Sequence, residues 1–204
     1  MHYRAVEMKE EWTEKYRPKS LSDVAGNEGA VRNMRHWAES WSRGIPRKKA
    51  LVLMGEPGIG KTSSALALAN DFGWDMVEMN ASDHRNATSI NRVAGQGSVS
   101  QTLTLDGEFK STAQGKMKLI ILDEADNLFG REDYGGAKAI VEVIKASSQP
   151  IILIVNDYYE LTRKASALKS LSESVVFRRL DKGAIVGVLT KIARTEGVSV
   201  GQGP

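Results

Sequence analysis

Gly55-Glu56-Pro57-Gly58-Ile59-Gly60-Lys61-Thr62 follows directly on the apolar run Ala50-Leu51-Val52-Leu53-Met54 and leads into Ser63-Ser64-Ala65-Leu66-Ala67-Leu68-Ala69. A strand-like run, a glycine loop and a helix-forming run in that order satisfy every position of the pattern G-x-x-x-x-G-K-[ST]. Gly55, Gly58 and Gly60 lack a Cβ, so the backbone can close into a nest of N–H groups aimed at a polyphosphate. The helix behind the loop adds the positive end of its dipole. Lys61 is placed to reach the β- and γ-phosphates, and Thr62 to offer a hydroxyl to Mg²⁺. Glu56, Pro57, Ile59 and Ser63 complete the loop's expected contact set.

Other chemistries are excluded by composition. With 204 residues the chain has room for one full-sized domain or one domain and part of another. It contains no cysteine, which removes disulfides, thiolate catalysis and cysteine-based zinc sites. The three histidines, His2, His36 and His84, are scattered and read as surface residues. A net charge of +3 permits contact with nucleic acid without demonstrating it. The first twenty residues are too charged for a signal peptide, and no apolar run approaches the roughly twenty residues that span a bilayer. The expectation is a soluble, intracellular protein with no membrane partner.

Along the chain, residues 1–11 read as a charged leader. Asn27 is expected to cap a helix that runs to about Arg43, with Val31, Met34, Ala38 and Trp41 near one face. Arg47-Lys48-Lys49 reads as a solvated lead-in to the first strand. The helix from Lys61 ends at Gly73, and Trp74–Asn80 alternates as a second strand. Residues 81–116 are polar, with a short helix expected at Thr88–Ala94 and the least ordered part of the chain after it. Met117–Leu122 and Pro150–Val155 are continuous apolar strands separated by a helix at about Tyr134–Ser147, whose apolar face carries Ala137, Ile140, Val141 and Ile144. A helix at Leu161–Leu171, a short strand at Ser174–Phe177 and a helix from Asp181 with Ile185, Val188, Leu189 and Ile192 complete the reading. Runs apolar on both faces with intervening helices require a parallel sheet covered on both sides, an α/β fold.

The second constellation is Leu119-Ile120-Ile121-Leu122-Asp123-Glu124-Ala125-Asp126, which delivers two adjacent carboxylates to a strand's carboxyl end, 62 positions after Lys61. Open α/β sheets bind ligands at that end. Asp123 is expected to hold Mg²⁺ through its water shell, and Glu124 to align and polarise the attacking water, which makes the site a hydrolase. Asn156, at the end of the next apolar strand, reads either as a turn residue or as an amide within reach of the γ-phosphate and the lytic water.

Trp12-Thr13-Glu14-Lys15-Tyr16-Arg17-Pro18, Asp23-Val24-Ala25-Gly26-Asn27, the phosphate loop, Asn80-Ala81-Ser82-Asp83, Leu122–Asp126, Ile154–Asp157 and Phe177-Arg178-Arg179 form an ordered set. The set resembles the ATPase module of the clamp loaders of the replication factor C family, closest to the archaeal large-subunit type, over residues 12 to about 196. The resemblance implies a P-loop AAA+ fold: a five-stranded parallel sheet flanked by helices, with a core at 12–180 and the start of a small helical lid at 181–204. It implies ATP and Mg²⁺ as cofactors, and assembly with small clamp-loader subunits into an open ring that loads a sliding clamp onto primer–template DNA. The compartment would be the cytoplasm of an archaeon, or the nucleus if the source is eukaryotic.

Carried over position by position, the resemblance puts Trp12, Tyr16, Arg17, Pro18 and Val24 on the adenine side and gives Asn156 a sensor role. The stretch after Asp83 is similar to a helix that meets DNA inside the ring. Arg85, Thr88, Ser89 and Arg92 are its expected phosphate contacts, and a solvated polar face is the competing account of each. One departure concerns the Ser-Arg-Cys of small subunits, whose arginine reaches a neighbour's ATP site. Lys169-Ser170-Leu171-Ser172 stands in that place, so the chain is expected to receive an arginine finger and to supply none. Against the resembled family, a lid cut short near Pro204, before the second sensor arginine, is expected. Two further readings stay open: another AAA+ replication machine, such as an initiator or a branch-migration helicase, and a nucleotide-dependent scaffold with little hydrolysis.

Overall fold

A computed structural model describes residues 11–80, 101–103, 109–111, 116–126 and 136–199. Strands β1 (Ala50–Met54), β2 (Asp75–Asn80), β5 (Lys118–Asp123), β6 (Ile151–Val155) and β7 (Ser172–Val176) form one sheet in the order β2-β5-β6-β1-β7. Every neighbouring pair is parallel. The parallel sheet expected from the apolar runs is therefore present, with the five strands that the resemblance implies.

Period-two alternation splits each central strand between two cores. Leu51 and Leu53 of β1, Leu119 and Ile121 of β5, and Ile152 and Ile154 of β6 face one core. Ala50 and Val52, Ile120 and Leu122, and Ile151, Leu153 and Val155 face the other. Burial of each large aliphatic side chain contributes about 1.5–3 kcal/mol, which explains why the interior positions of the central strands are apolar. The first core is covered by α2 (Glu28–Trp41) and α3 (Lys61–Phe72). The second is covered by α4 (Gly136–Ala146), α5 (Tyr158–Lys164) and α6 (Leu168–Leu171).

The face of α2 is wider than the spacing of Val31, Met34, Ala38 and Trp41 suggests. Ala30 and Trp37 are buried as well, whereas Val31 is only half-buried. Trp37 packs edge-on against Trp41 and Trp74, with centroids 6.2 and 6.4 Å away, and its Nε1 donates to Lys48 O at 3.1 Å. In α3 the alanines let the helix lie close on the sheet, with Ala65, Ala67, Leu68 and Ala69 buried.

Several boundaries differ from expectation for identifiable reasons. Asn27 makes no side-chain cap on α2. It sits in the left-handed region at φ 54°, and its amide clasps Arg178, with Nδ2 donating to Arg178 O at 3.0 Å and Oδ1 accepting from Arg178 N at 2.8 Å. The helix expected at 161–171 is two helices, because Leu168 N–H bonds to Ala165 O and breaks the i→i−4 ladder. α5 begins at Tyr158 because the Asp157 carboxylate accepts from Tyr159 N–H at 2.8 Å. β7 lies two residues earlier than expected at its start. Within 81–116, β3 (Gln101–Leu103) pairs antiparallel with β4 (Phe109–Ser111), where the sequence suggests only irregular chain. The sequence cue is Asp106-Gly107, a hairpin signal between the two runs. The helix expected at 88–94 lies outside the described residues.

The last helix, α7 (Lys182–Thr195), is capped by Asp181, whose Oδ1 accepts from Ala184 N–H at 2.8 Å. Glu196 at its carboxyl end accepts 2.5 Å hydrogen bonds from Lys15 Nζ and Tyr16 Oη, tying α7 to the end of α1 (Trp12–Lys15). Among the described residues no helix is long and apolar enough to cross a membrane.

Candidate active site

The loop between β1 and α3 takes its shape from two kinds of glycine. A Cβ on Gly55, at φ 141°, would lie 2.6 Å from Phe177 O, so the strand end after β7 crowds the first glycine. Gly58 and Gly60, at φ 74° and 94°, have open space where a Cβ would stand. That backbone conformation suits glycine, and the open space is where a phosphate would approach. Gly60 offers α3 no side-chain cap, so the helix's first N–H groups are left for a ligand.

Three strand ends converge on this loop. Lys61, only 6% exposed, donates from Nζ to Gly55 O, to Glu56 O at 2.7 Å and to Asn156 Oδ1 at 3.2 Å. Thr62 Oγ1 donates to Asp123 Oδ2 at 2.7 Å. Glu124 follows in the left-handed region at φ 51°, with its N–H bonded to Asp123 Oδ1 at 2.7 Å. A non-glycine residue held there stores about 1–3 kcal/mol of strain, a cost that clusters at functional sites. Lys61, Thr62, Ser63, Asp123, Glu124 and Asn156 all line one cavity of about 360 Å³. Burial lowers the Lys61 ammonium's proton affinity, and the charges of Asp123 and Asp126 oppose that shift.

A second cavity, of about 520 Å³, shares Pro57, Gly58, Gly60 and Ser63 with the first, so the loop separates a phosphate-sized space from a neighbouring one. Tyr16, Pro18, Val24 and Ile59 line the second space, together with Ile185 and Val188 of α7. Ile185 and Val188 are legible as one face of an amphipathic helix, but no local signal joins that face to the loop. Trp12 is 49% exposed and stands outside this lining. Arg17 is also outside it: its guanidinium donates to Glu14 at 2.5 Å, and its charge opposes the upward push that burial and Asp123 exert on the Glu78 carboxyl. Glu56 pairs with Arg179, reaching from the loop to the segment between β7 and α7. Arg85, Thr88, Ser89 and Arg92 lie outside the described residues. Leu171 is half-buried against the core.

Asp126 carries no expected role in the sequence pattern. Its Oδ2 accepts from the N–H of Asn156 at 3.0 Å and of Asp157 at 3.3 Å, tying the carboxylate turn to the end of β6.

The hydroxyl and carboxylate oxygens of Thr62 and Asp123, within 2.7 Å of each other, are the hard oxygen donors that suit Mg²⁺. Beside a lysine and an uncapped helix start, this donor set fits a magnesium–polyphosphate ligand.

The comparisons with known proteins agree with this geometry. Residues 51–178 match the model of the ATPase family associated with various cellular activities (AAA). The chain is 47% identical over 190 residues to the replication factor C large subunit of Archaeoglobus fulgidus, covering 93% of this chain and 38% of that protein. It is 49% identical over 189 residues to the protein of the same name from Methanoregula boonei, covering 93% of this chain and 36% of that one. The chain thus spans under two fifths of the length of these curated relatives. A solved structure of Thermotoga maritima RuvB superposes with a TM-score of 0.67 at 15% identity, covering 91% of this chain and 56% of that one, which supports the fold alone. With the family model matching well over half of its length, the chain belongs to the AAA ATPase family.

Proposed function

We propose that this chain is the ATPase module of a sliding-clamp loader's large subunit, using ATP binding and hydrolysis to load a clamp onto primer–template DNA. The observation that carries the reading is the meeting of Lys61 with Asn156 and of Thr62 with Asp123, which joins the phosphate loop to two strand ends. Identity of 47% over almost the whole chain to replication factor C large subunits supports the clamp-loader assignment.

In this reading the base enters the space between Tyr16, Val24, Ile185 and Val188, and the phosphates follow the loop backbone. Lys61 neutralises the β- and γ-phosphates. Thr62 and Asp123 would hold Mg²⁺, which supplies charge neutralisation on the phosphate oxygens when bound. Glu124 orients the attacking water and takes its proton, and Asn156 touches the γ-phosphate and registers its departure. Leu171 has no charge to offer a neighbouring site, so the arginine that stabilises the transition state comes from the adjacent subunit. Arg85, Thr88, Ser89 and Arg92 take the phosphate contacts with DNA.

Single-turnover hydrolysis by the chain alone, and with small subunits, clamp and primer–template DNA added, tests the assignment. Stimulation by the complete set is expected. No stimulation would overturn the clamp-loader reading and leave a nucleotide-dependent scaffold.

A further inference from the structure

We propose that Asp126 is a positioning residue that holds Asn156 against Lys61, so that hydrolysis depends on it while nucleotide binding does not. The proposal rests on the reading of this site as an ATPase.

The sheet itself does not fix Asn156. Pairing of β6 with β5 ends at Leu122 opposite Leu153, and pairing with β1 ends at Met54 opposite Val155. The N–H groups of Asn156 and Asp157 therefore fall beyond the last ladder position on both sides, where a strand end is free to wander. Asp126 Oδ2 accepts from both. A carboxylate that accepts two backbone N–H groups forms charge-assisted bonds, stronger than neutral ones. The residue is anchored in turn by its neighbour Ala125, which is completely buried. With the backbone so held, Asn156 Oδ1 meets Lys61 Nζ at 3.2 Å.

The two ends of Asp123-Glu124-Ala125-Asp126 thus do different work. Asp123 faces Thr62, at the start of α3. Asp126 faces the other way, toward the end of β6. Its other oxygen, Oδ1, is buried without a hydrogen-bond partner among the described residues. Asn156 is thus held by a carboxylate outside the cavity lining.

The test compares Asp126→Ala, Asp126→Asn and Asn156→Ala in the assembled oligomer, with the Asp126→Ala, Asn156→Ala double variant. Asp126→Ala is expected to lower kcat roughly tenfold with KM little changed, because the group removed acts on the step and not on binding. Asp126→Asn keeps an acceptor for both N–H groups and is expected to recover most of that loss. In the Asn156→Ala background the Asp126→Ala change is expected to cost almost nothing further, since the two residues act as one unit. Equal losses in both backgrounds would overturn the proposal, as would an Asn variant as poor as the Ala variant. Hydrogen exchange supplies an arm independent of turnover: the amides of Asn156 and Asp157 are expected to exchange about tenfold faster in Asp126→Ala and not in Asp126→Asn. Unchanged exchange would remove the hydrogen bonds on which the proposal stands. Absence of hydrolysis in the wild type would instead sink the ATPase reading, with the exchange arm still deciding whether Asp126 holds Asn156.

Discussion

Thr62 Oγ1 donates a 2.7 Å hydrogen bond to Asp123 Oδ2, joining the first turn of α3 to the carboxyl end of β5 across 61 residues of sequence. In the proposed reading, this hydroxyl and carboxylate would hold a small hard cation. Thr62→Ala is expected to raise the Mg²⁺ concentration needed for half-maximal hydrolysis by about tenfold or more. A magnesium titration at saturating ATP checks this; an unchanged midpoint would remove Thr62 from the metal's coordination.

Lys61 and Glu124 line the same cavity but are expected to fail differently. Lys61→Ala removes the ammonium that Gly55, Glu56 and Asn156 hold in place, and nucleotide binding is lost. Glu124→Gln keeps binding and lowers turnover by about 10²–10⁴-fold, the usual contribution of a positioned base. Equilibrium binding of a fluorescent nucleotide, set beside single-turnover hydrolysis, separates the two. Normal turnover in the Gln variant would take the base role from Glu124.

Asn27 holds the segment between β7 and α7 by clasping both backbone groups of Arg178. Asn27→Gly removes both hydrogen bonds while suiting the left-handed backbone, and is expected to cost about 1–2 kcal/mol. For a chain of this size that is a fall in Tm of several degrees. A melting curve equal to the wild type would show that the clasp contributes nothing.

The clasp of Glu196 on Lys15 and Tyr16 has a definite pH window. The hydrogen bond to Glu196 is the main cause raising the Lys15 pKa above its ordinary 10.5 and that of Tyr16 above its ordinary 10.0. Because both groups hold their protons more tightly when folded, the clasp's stabilisation is complete below pH 10. It is lost as pH rises through the raised folded-state values. The Tm difference between the wild type and Glu196→Gln is therefore expected to be constant from pH 7 to 9.5 and to vanish at higher pH. A difference that instead shrinks between pH 7 and 9 would contradict this assignment.

Arg85 and Arg92 are the expected partners of DNA phosphates. Their joint replacement by Ala is expected to weaken binding of primer–template DNA about equally for all sequences and to lower the salt dependence by about one unit of slope for each phosphate no longer neutralised. An unaltered slope would return both to the solvated surface.

Much of the architecture is written in local pattern. The runs Ala50–Met54, Lys118–Asp123 and Ile151–Val155 are apolar at every central position, which only a sheet covered on both faces accommodates, and all three are central strands. Signals that depend on one residue's preference fare worse. Asn27 has the side chain of a helix cap, yet the nearby Arg178 backbone takes its amide. Trp12 and Arg17 belong to the same short stretch as Tyr16 and Pro18, but only the latter two turn toward the second cavity. Neighbours in sequence share a motif without sharing a direction.

The sequence by itself determined the phosphate loop, the carboxylate pair that serves it and the parallel sheet that carries both. These depend on residue types at short fixed spacings: glycines where the backbone must approach a ligand, and acids directly after a buried strand. Only the tertiary structure decided which distant groups complete the site. Asp126 reaches Asn156 because the crossover from β5 lays β6 beside it, while Glu196 reaches Tyr16, and Ile185 and Val188 line one cavity with Val24, because the last helix returns to the first described segment. A side chain's partner across thirty or more residues is set by the path of the chain, and no local preference encodes that path.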